Sequence, residues 1–266
     1  MVKGGLILWP TRLFLYNYFL VIGVEEGIAQ AYLISILRVV VGVPLMLLVT
    51  GAMALALSRR ELLGRKWIVY FLIPMLFFSG GLIPYYLQLK GLGLQNTFWV
   101  FVIPGMFSLG SMILMRAFFV QTVPEGIVQS AVLEGAGYVR IFFTMVVPLS
   151  KAIIATIFMF NAVGYWNDRF VGEFFVTNRN LVPVQTWLQN VMKIAGNEMA
   201  NNRIELFERL KVMTGGDEDL LAKIMMLTGR SVQNAGVILA VMPIIIVYPF
   251  LQRYFVKGAL IGSLRD

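Results

Sequence analysis

Twenty consecutive residues, 67–86, carry no charge, a run long enough to cross a hydrocarbon core of about 30 Å as a helix. Pro74, Gly80, Gly81 and Pro84 interrupt it and predict an irregular helix. Similar runs lie at 31–57, 97–115, 149–167 and 234–251, with Arg38 and Lys151 their only charges. The fold class that follows is all-α, a polytopic membrane helix bundle with five spans in this chain. Composition agrees: 59% of the residues are hydrophobic, 14% are charged, and the mean hydropathy is +0.79, far from the balance of a soluble domain.

The chain contains no cysteine and no histidine. Disulfides, thiolate or imidazole metal sites and a Ser-His-Asp triad are therefore excluded. The formal charge of +8 does not point to nucleic acid, because the basic residues sit at span ends and form no soluble basic face. They report topology instead. Arg59, Arg60, Arg65 and Lys66 follow the first span, Arg116 closes the third, Arg140 and Lys151 flank the fourth, and Arg253, Lys257 and Arg265 lie in the tail. Against them stand Glu61, Glu125, Glu134 and Asp266, so these loops and the C-terminus are expected on the cytoplasmic side of the membrane.

Residues 1–30 read as an outer interfacial segment, too interrupted by Pro10, Arg12, Glu25 and Glu26 to span. Residues 31–266 read as the transmembrane domain, with an inner loop at 119–148 and an outer polar region at 172–231. That outer region carries seven acidic and seven basic residues, so translocating it does not offend the positive-inside bias. Five spans place residue 1 outside, and a further span before it is expected.

The inner loop contains PEGIVQSAVLEGAGYVRIFFTMVVP at 124–148. Apolar residues at Ile127, Val128, Ala131 and Val132 recur at helical spacing, Gly135 and Gly137 break the pattern, and Val139, Phe142, Phe143 and Val146 begin a second face. Two short amphipathic helices joined by a glycine turn are predicted, closed by Pro148. The simplest account is a helical connector. Its spacing says more: Gln129-Ser130-Ala131, then three residues, Gly135, nine residues, Met145, one residue and Val147-Pro148 resembles the EAA motif of ATP-binding-cassette (ABC) importer permeases. The register matches although several letters differ. LFFSGGLIPYYLQLKGLGLQNTFWVFVIPG (76–105), AVGYWNDRF (162–170) and YPFLQRYFVKGALIGSLRD (248–266) also resemble the carbohydrate branch, related to the maltodextrin and alginate importers. That family has six spans.

The resemblance implies a coupling helix docked in a cleft of a separate cytoplasmic ATPase, carried by Gln129, Ser130, Ala131, Glu134, Gly135, Tyr138 and Pro148. The family's usual glutamate is Gln129 here, so its ion pair is missing, while Glu134 keeps an acid. Tyr138, Phe142 and Phe143 are candidates for the apolar part of that surface, with the membrane or their own bundle the equal alternative. It further implies a second, non-identical permease, two ATPase subunits that hold ATP and magnesium, an extracytoplasmic solute-binding protein and an oligosaccharide cargo. The chain itself is expected to bind no cofactor and no nucleic acid. No GxxxxGK[ST] phosphate loop occurs, in keeping with a non-enzymatic subunit.

Polar groups inside spans normally face a cavity or the bundle. Asn161, Tyr165, Trp166 and Asn167 on the fourth span are the candidate substrate path, with interfacial anchoring the alternative for the two aromatics. Tyr85 and Tyr86 are equally open. Arg38 is expected to snorkel or to pair across the bundle. A share in binding-protein docking is expected for the outer region, with residues 181–190 nearest the cavity mouth. An ion-coupled transporter would need ionisable residues near the midplane of several spans, and only Arg38 is seen; an ion-independent secondary transporter or channel subunit remains the alternative. A membrane enzyme would need a nucleophile or acid/base pair, and none is visible.

Overall fold

The computed structural model describes residues 18, 27–78, 80–201, 211–212, 234–243 and 245–246, with the backbone alone for 194–201. The interfacial segment before residue 27 apart from Tyr18, the basic tail and most of 202–233 lie outside the described residues. Two compact units are present, one containing Ala29–Thr186 and the other containing Trp187–Met242. Every described regular element is helical.

The first helix, α1, runs from Ile28 to Ser58 without a break; its 31 residues rise about 46 Å, enough to cross a bilayer. Apolar on all sides, it cannot orient by hydrophobicity. Its buried stripe is instead marked by small and polar residues: Ser35, Arg38, Gly42, Thr50, Gly51 and Ser58 are all buried, whereas Leu33, Ile36, Val40 and Leu48 face outward. Val43, Met46 and Leu57 are buried too, so the small and polar members are what set the stripe apart, as expected where lipid offers aliphatic residues as good an environment as protein.

The second expected span is split. Helix α2, Arg65–Leu72, runs into a 3₁₀ turn at Ile73–Leu76, and α3 covers Leu82–Gly91. Pro74 removes a helical donor, and Gly81 takes φ 85° and ψ 174°, a backbone only glycine adopts freely. Between them α2 and α3 leave Trp67, Phe71, Phe77, Phe78 and Ile83 strongly exposed.

The third span is bent as well. Short 3₁₀ pieces at Phe98–Phe101 and Ile103–Gly105 meet α4, Leu109–Thr122, at 47°. Ser108 caps α4 by accepting from Ser111 N–H. Next come α5, Glu125–Leu133, and α6, Tyr138–Ile141, which continues as a π-turn at Phe142–Val146 and a last turn at Val147–Leu149. Helix α7, Lys151–Asn167, leaves that segment at 88°. Among the described residues α1 alone is long and apolar enough to cross a membrane unaided, and each bent pair makes one further candidate. A short helix, α8 (Phe170–Phe175), and a longer one, α9 (Val184–Asn201), follow, and α10 covers Asn234–Pro243.

One point corrects the sequence reading. Pro148 does not close the inner loop; the helix runs through it and the chain turns at Ser150. The π-turn just before Pro148 widens the helix where its ring would otherwise crowd the preceding carbonyl. Ser150 is wholly buried, its N–H donates to Val146 O and Val147 O, and Ile154 N–H donates back to its carbonyl.

The main core joins Val43, Met46, Ala54 and Leu57 of α1 to Met112, Met115 and Phe119 of α4. Val128 and Ala131 of α5, Ile141 and Phe142 after it, and Ile157 of α7 complete it. The inner loop is therefore seated on the bundle. A second cluster, around Ile34, Leu89, Val100, Phe101 and Phe175, holds the other end. There Asn96, at φ 55°, accepts with Oδ1 from Thr177 N–H, the Thr177 hydroxyl and Asn178 N–H.

Candidate functional site

The turn between α5 and α6 is a Schellman motif. Ala136 N–H donates to Ala131 O at 2.9 Å and Gly135 N–H to Val132 O at 2.9 Å, with Gly135 at φ 84°. The glycine that the spacing singles out thus satisfies the carbonyls of α5 and reverses the chain. Around it the hairpin has two faces. Val128, Ala131, Ile141 and Phe142 are buried. Leu133 is 89% exposed, Val139 75% and Tyr138 54%, so the tip presents bare apolar surface.

The residues of the EAA-like motif separate accordingly. Gln129 is exposed and donates from Nε2 to Glu61 Oε1 at 3.1 Å. Ser130 is exposed and donates to Gly126 O within α5. Ala131 is 3% exposed and packs the hairpin onto the core. Glu134 is exposed as the C-cap of α5. Pro148 is exposed on the segment after the π-turn, away from the tip. Of the three candidate aromatics, Phe142 turns into the bundle, against Gly51, while Tyr138 and Phe143 remain outside.

A cavity of about 300 Å³ opens beside α5, lined by Arg59, Arg60, Glu61, Glu125, Gln129 and Tyr138 with three aliphatic side chains. Sequence reading placed the arginines and Glu61 only as topology markers, since nothing in a basic loop says which of its members folds inward. Arg59 is 8% exposed and its Nε and Nη2 have no hydrogen-bond partner. Burial pushes its guanidinium down, opposed by the charges of Glu125, Tyr138 and Glu61. Arg60 Nε stands 3.9 Å from Glu125 Oε1 at the exposed rim.

In the bundle Arg38 donates from Nη2 to Asp168 Oδ2 at 2.8 Å and from Nη1 to Asp168 O at 2.9 Å. It is 1% exposed and also stands over the Phe101 ring, 5.1 Å from the centroid. The pairing across the bundle is thus an α1-to-α7 clamp. Tyr165 is wedged between Gly42 and Gly105, where an added Cβ would collide with its ring and hydroxyl respectively. Its hydroxyl is buried without a partner. Asn161 donates to Ser111 Oγ and Ile157 O, tying α7 to α4. Trp166 is buried beside Tyr32, ring centroids 6.3 Å apart, and Asn167 is exposed, with Gln185 Nε2 3.5 Å from its Oδ1. Of the four proposed path residues, Asn167 is exposed and half-buried Asn161 uses only its amide nitrogen in these bonds. Tyr85 and Tyr86 pack on Phe175. Within 181–190, Val184 N–H donates to the buried Ser35 Oγ. Among the described residues no group of three acidic side chains is placed to hold a metal.

An uninterrupted span, bent neighbours packed through small and polar residues, and a helical hairpin seated on one end define a polytopic permease-type bundle, an integral membrane protein. The comparisons make the class specific. The chain is 30% identical over 265 residues to the polygalacturonan/rhamnogalacturonan transport system permease protein YtcP of Bacillus subtilis, covering all of this chain and 86% of that protein. It is 34% identical to protein LplC of B. subtilis, over 87% of this chain and 72% of that one. The maltodextrin transport system permease protein MalD of Streptococcus pneumoniae is 28% identical over 78% of the chain and 65% of its own length. No family profile matches. Among solved structures, a bacterial ABC transporter involved in the import of the acidic polysaccharide alginate has a chain that superposes with a TM-score of 0.76 at 25% identity, over 95% of this chain and 84% of that one. The chain belongs to the carbohydrate-import permeases of the ABC transporters.

Proposed function

We propose that this permease forms half of the translocation path for an oligosaccharide and is driven through the α5–α6 hairpin by a separate ATPase. The observation that carries this reading is the exposed apolar tip, Leu133, Tyr138 and Val139, on a hairpin whose opposite face is locked into the main core. Bare apolar surface of that kind marks a contact for another protein, and its seating on the core lets a push on the tip reach α1 and α4. The second half of the path is a non-identical permease, and a solute-binding protein delivers the sugar from outside. ATP and magnesium reside on two ATPase subunits, and this chain holds no cofactor. The hairpin and the C-terminus lie on the cytoplasmic side of a bacterial inner membrane, in keeping with the positive-inside bias. Relatives that handle polygalacturonan, maltodextrin or melibiose and raffinose by name support a glycan cargo.

Reconstituting the chain with its partner permease, ATPase and binding protein tests the proposal. Solute-stimulated ATP hydrolysis and uptake are expected from the full set, and uptake by this chain alone overturns it. Gly135→Asp is expected to separate hydrolysis from uptake while leaving membrane insertion unchanged.

A further inference from the structure

The cavity beside α5 has an unusual floor. Nε–H and Nη2–H are the two donors on one edge of a guanidinium, the pair that grips a carboxylate with two parallel hydrogen bonds. In Arg59 both lack an acceptor and both are themselves buried, in a residue 8% exposed that lines the cavity, so the edge meets an acceptor from outside by swinging into that cavity. Glu61 and Glu125 line the same cavity, yet neither forms an ion pair with Arg59 within the described residues. Glu61 instead accepts from Gln129 and Glu125 faces Arg60. A buried cation with open donors is costly unless an anionic acceptor meets it. The position of the cavity selects the source, because it adjoins the α5–α6 tip that, in the reading above, meets the ATPase.

Resting on that reading, we infer that Arg59 receives an acidic side chain of the docked ATPase, and that Gln129 and Glu61 form the rim of the same socket. The charge sense is then the reverse of a permease carboxylate reaching for a basic ATPase residue. Gln129 cannot supply a carboxylate, and the cation comes from the end of α1. The contact ties the motor to the longest helix of the bundle as well as to the hairpin.

The test uses the assembled permease pair and its own ATPase in lipid nanodiscs. Arg59→Gln is expected to weaken ATPase binding by about tenfold or more, the scale of truncating one partner of a buried charged pair, and Arg59→Lys to recover part of it. Because the chain has no cysteine, Arg60→Cys at the rim provides a second readout that leaves Arg59 intact: it should cross-link to cysteines placed beside one acidic residue of the ATPase cleft. The inference is overturned if folded Arg59→Gln binds the ATPase as the parent does, or if Arg60→Cys links only at basic or apolar positions. It is equally overturned if Arg59→Gln sheds a bound anionic phospholipid with ATPase affinity unchanged, which assigns the guanidinium to a headgroup. Failure of the parent to bind any ATPase overturns the proposed function itself, whereas the preceding results leave that function standing.

Discussion

At the scale of single residues, two positions are held by opposite physics. Arg38 is a charge made tolerable by one partner: Asp168 supplies both a carboxylate and a carbonyl. Arg38→Ala should therefore remove the cation from an Asp168 that is 31% exposed and still accepts from Phe170 N–H and Val171 N–H, and cost about 1–3 kcal/mol. Replacing both, Arg38→Met with Asp168→Asn, should recover part of that loss because the amide oxygen keeps the bonds from Phe170 N–H and Val171 N–H, as read by thermal unfolding in nanodiscs. Gly135 is held by backbone shape alone, since no atom lies within 4 Å of an added Cβ. Gly135→Ala is expected to lose about 1 kcal/mol through its left-handed φ, and Gly135→Asn less. Protease sensitivity of the hairpin would rank the three.

Between elements, the fit of α1, α7 and the bent third span depends on Tyr165 filling the notch left by Gly42 and Gly105. The two glycines meet different atoms, which gives a double-mutant prediction. Gly105→Ala clashes with the hydroxyl and should be rescued in part by Tyr165→Phe. Gly42→Ala clashes with the ring and should not. Unfolding temperatures of the four variants decide it. Elements of this kind were unequally legible in the sequence. Helices α1 and α7 and the helix–glycine–helix hairpin could be read from long apolar runs with a single charge each, helical spacing and Gly135. The break at Gly81 was foreseen only as irregularity, because prolines and glycines say where a helix weakens but not how far its halves separate. The inward turn of Phe142 and Arg59 could not be read at all. Phe143 and Arg60, their neighbours, have the same chemistry, and only the register of the hairpin against α1 decides which member of each pair is buried.

On the scale of the whole molecule, the larger unit has a polar seam through its centre and an apolar exterior. The seam runs from the Arg38–Asp168 clamp to Thr50, whose hydroxyl donates to Met106 O and accepts from Ser108 N–H. Such bonds fix how the helices meet where lipid provides no hydrophobic incentive. The wide aromatic exterior of α2 and α3 suits lipid or a second permease. Burial of Trp67 and Phe77 on assembly is expected, read as a blue shift of Trp67 emission when the partner permease is added to a variant lacking the other tryptophans. No shift would leave that face to lipid.

The corner at Ser150 has a mechanical meaning of its own. Buried Ser150 is bonded to both arms, its N–H donating to Val146 O and Val147 O and its carbonyl accepting from Ile154 N–H, so one residue ties the arms together. Spin labels at Arg140→Cys and Phe160→Cys, one on each arm, should keep a constant separation through the nucleotide cycle while both move relative to α1. A stiff right angle works as a bell crank: a shove delivered along one arm emerges as a sideways swing of the other.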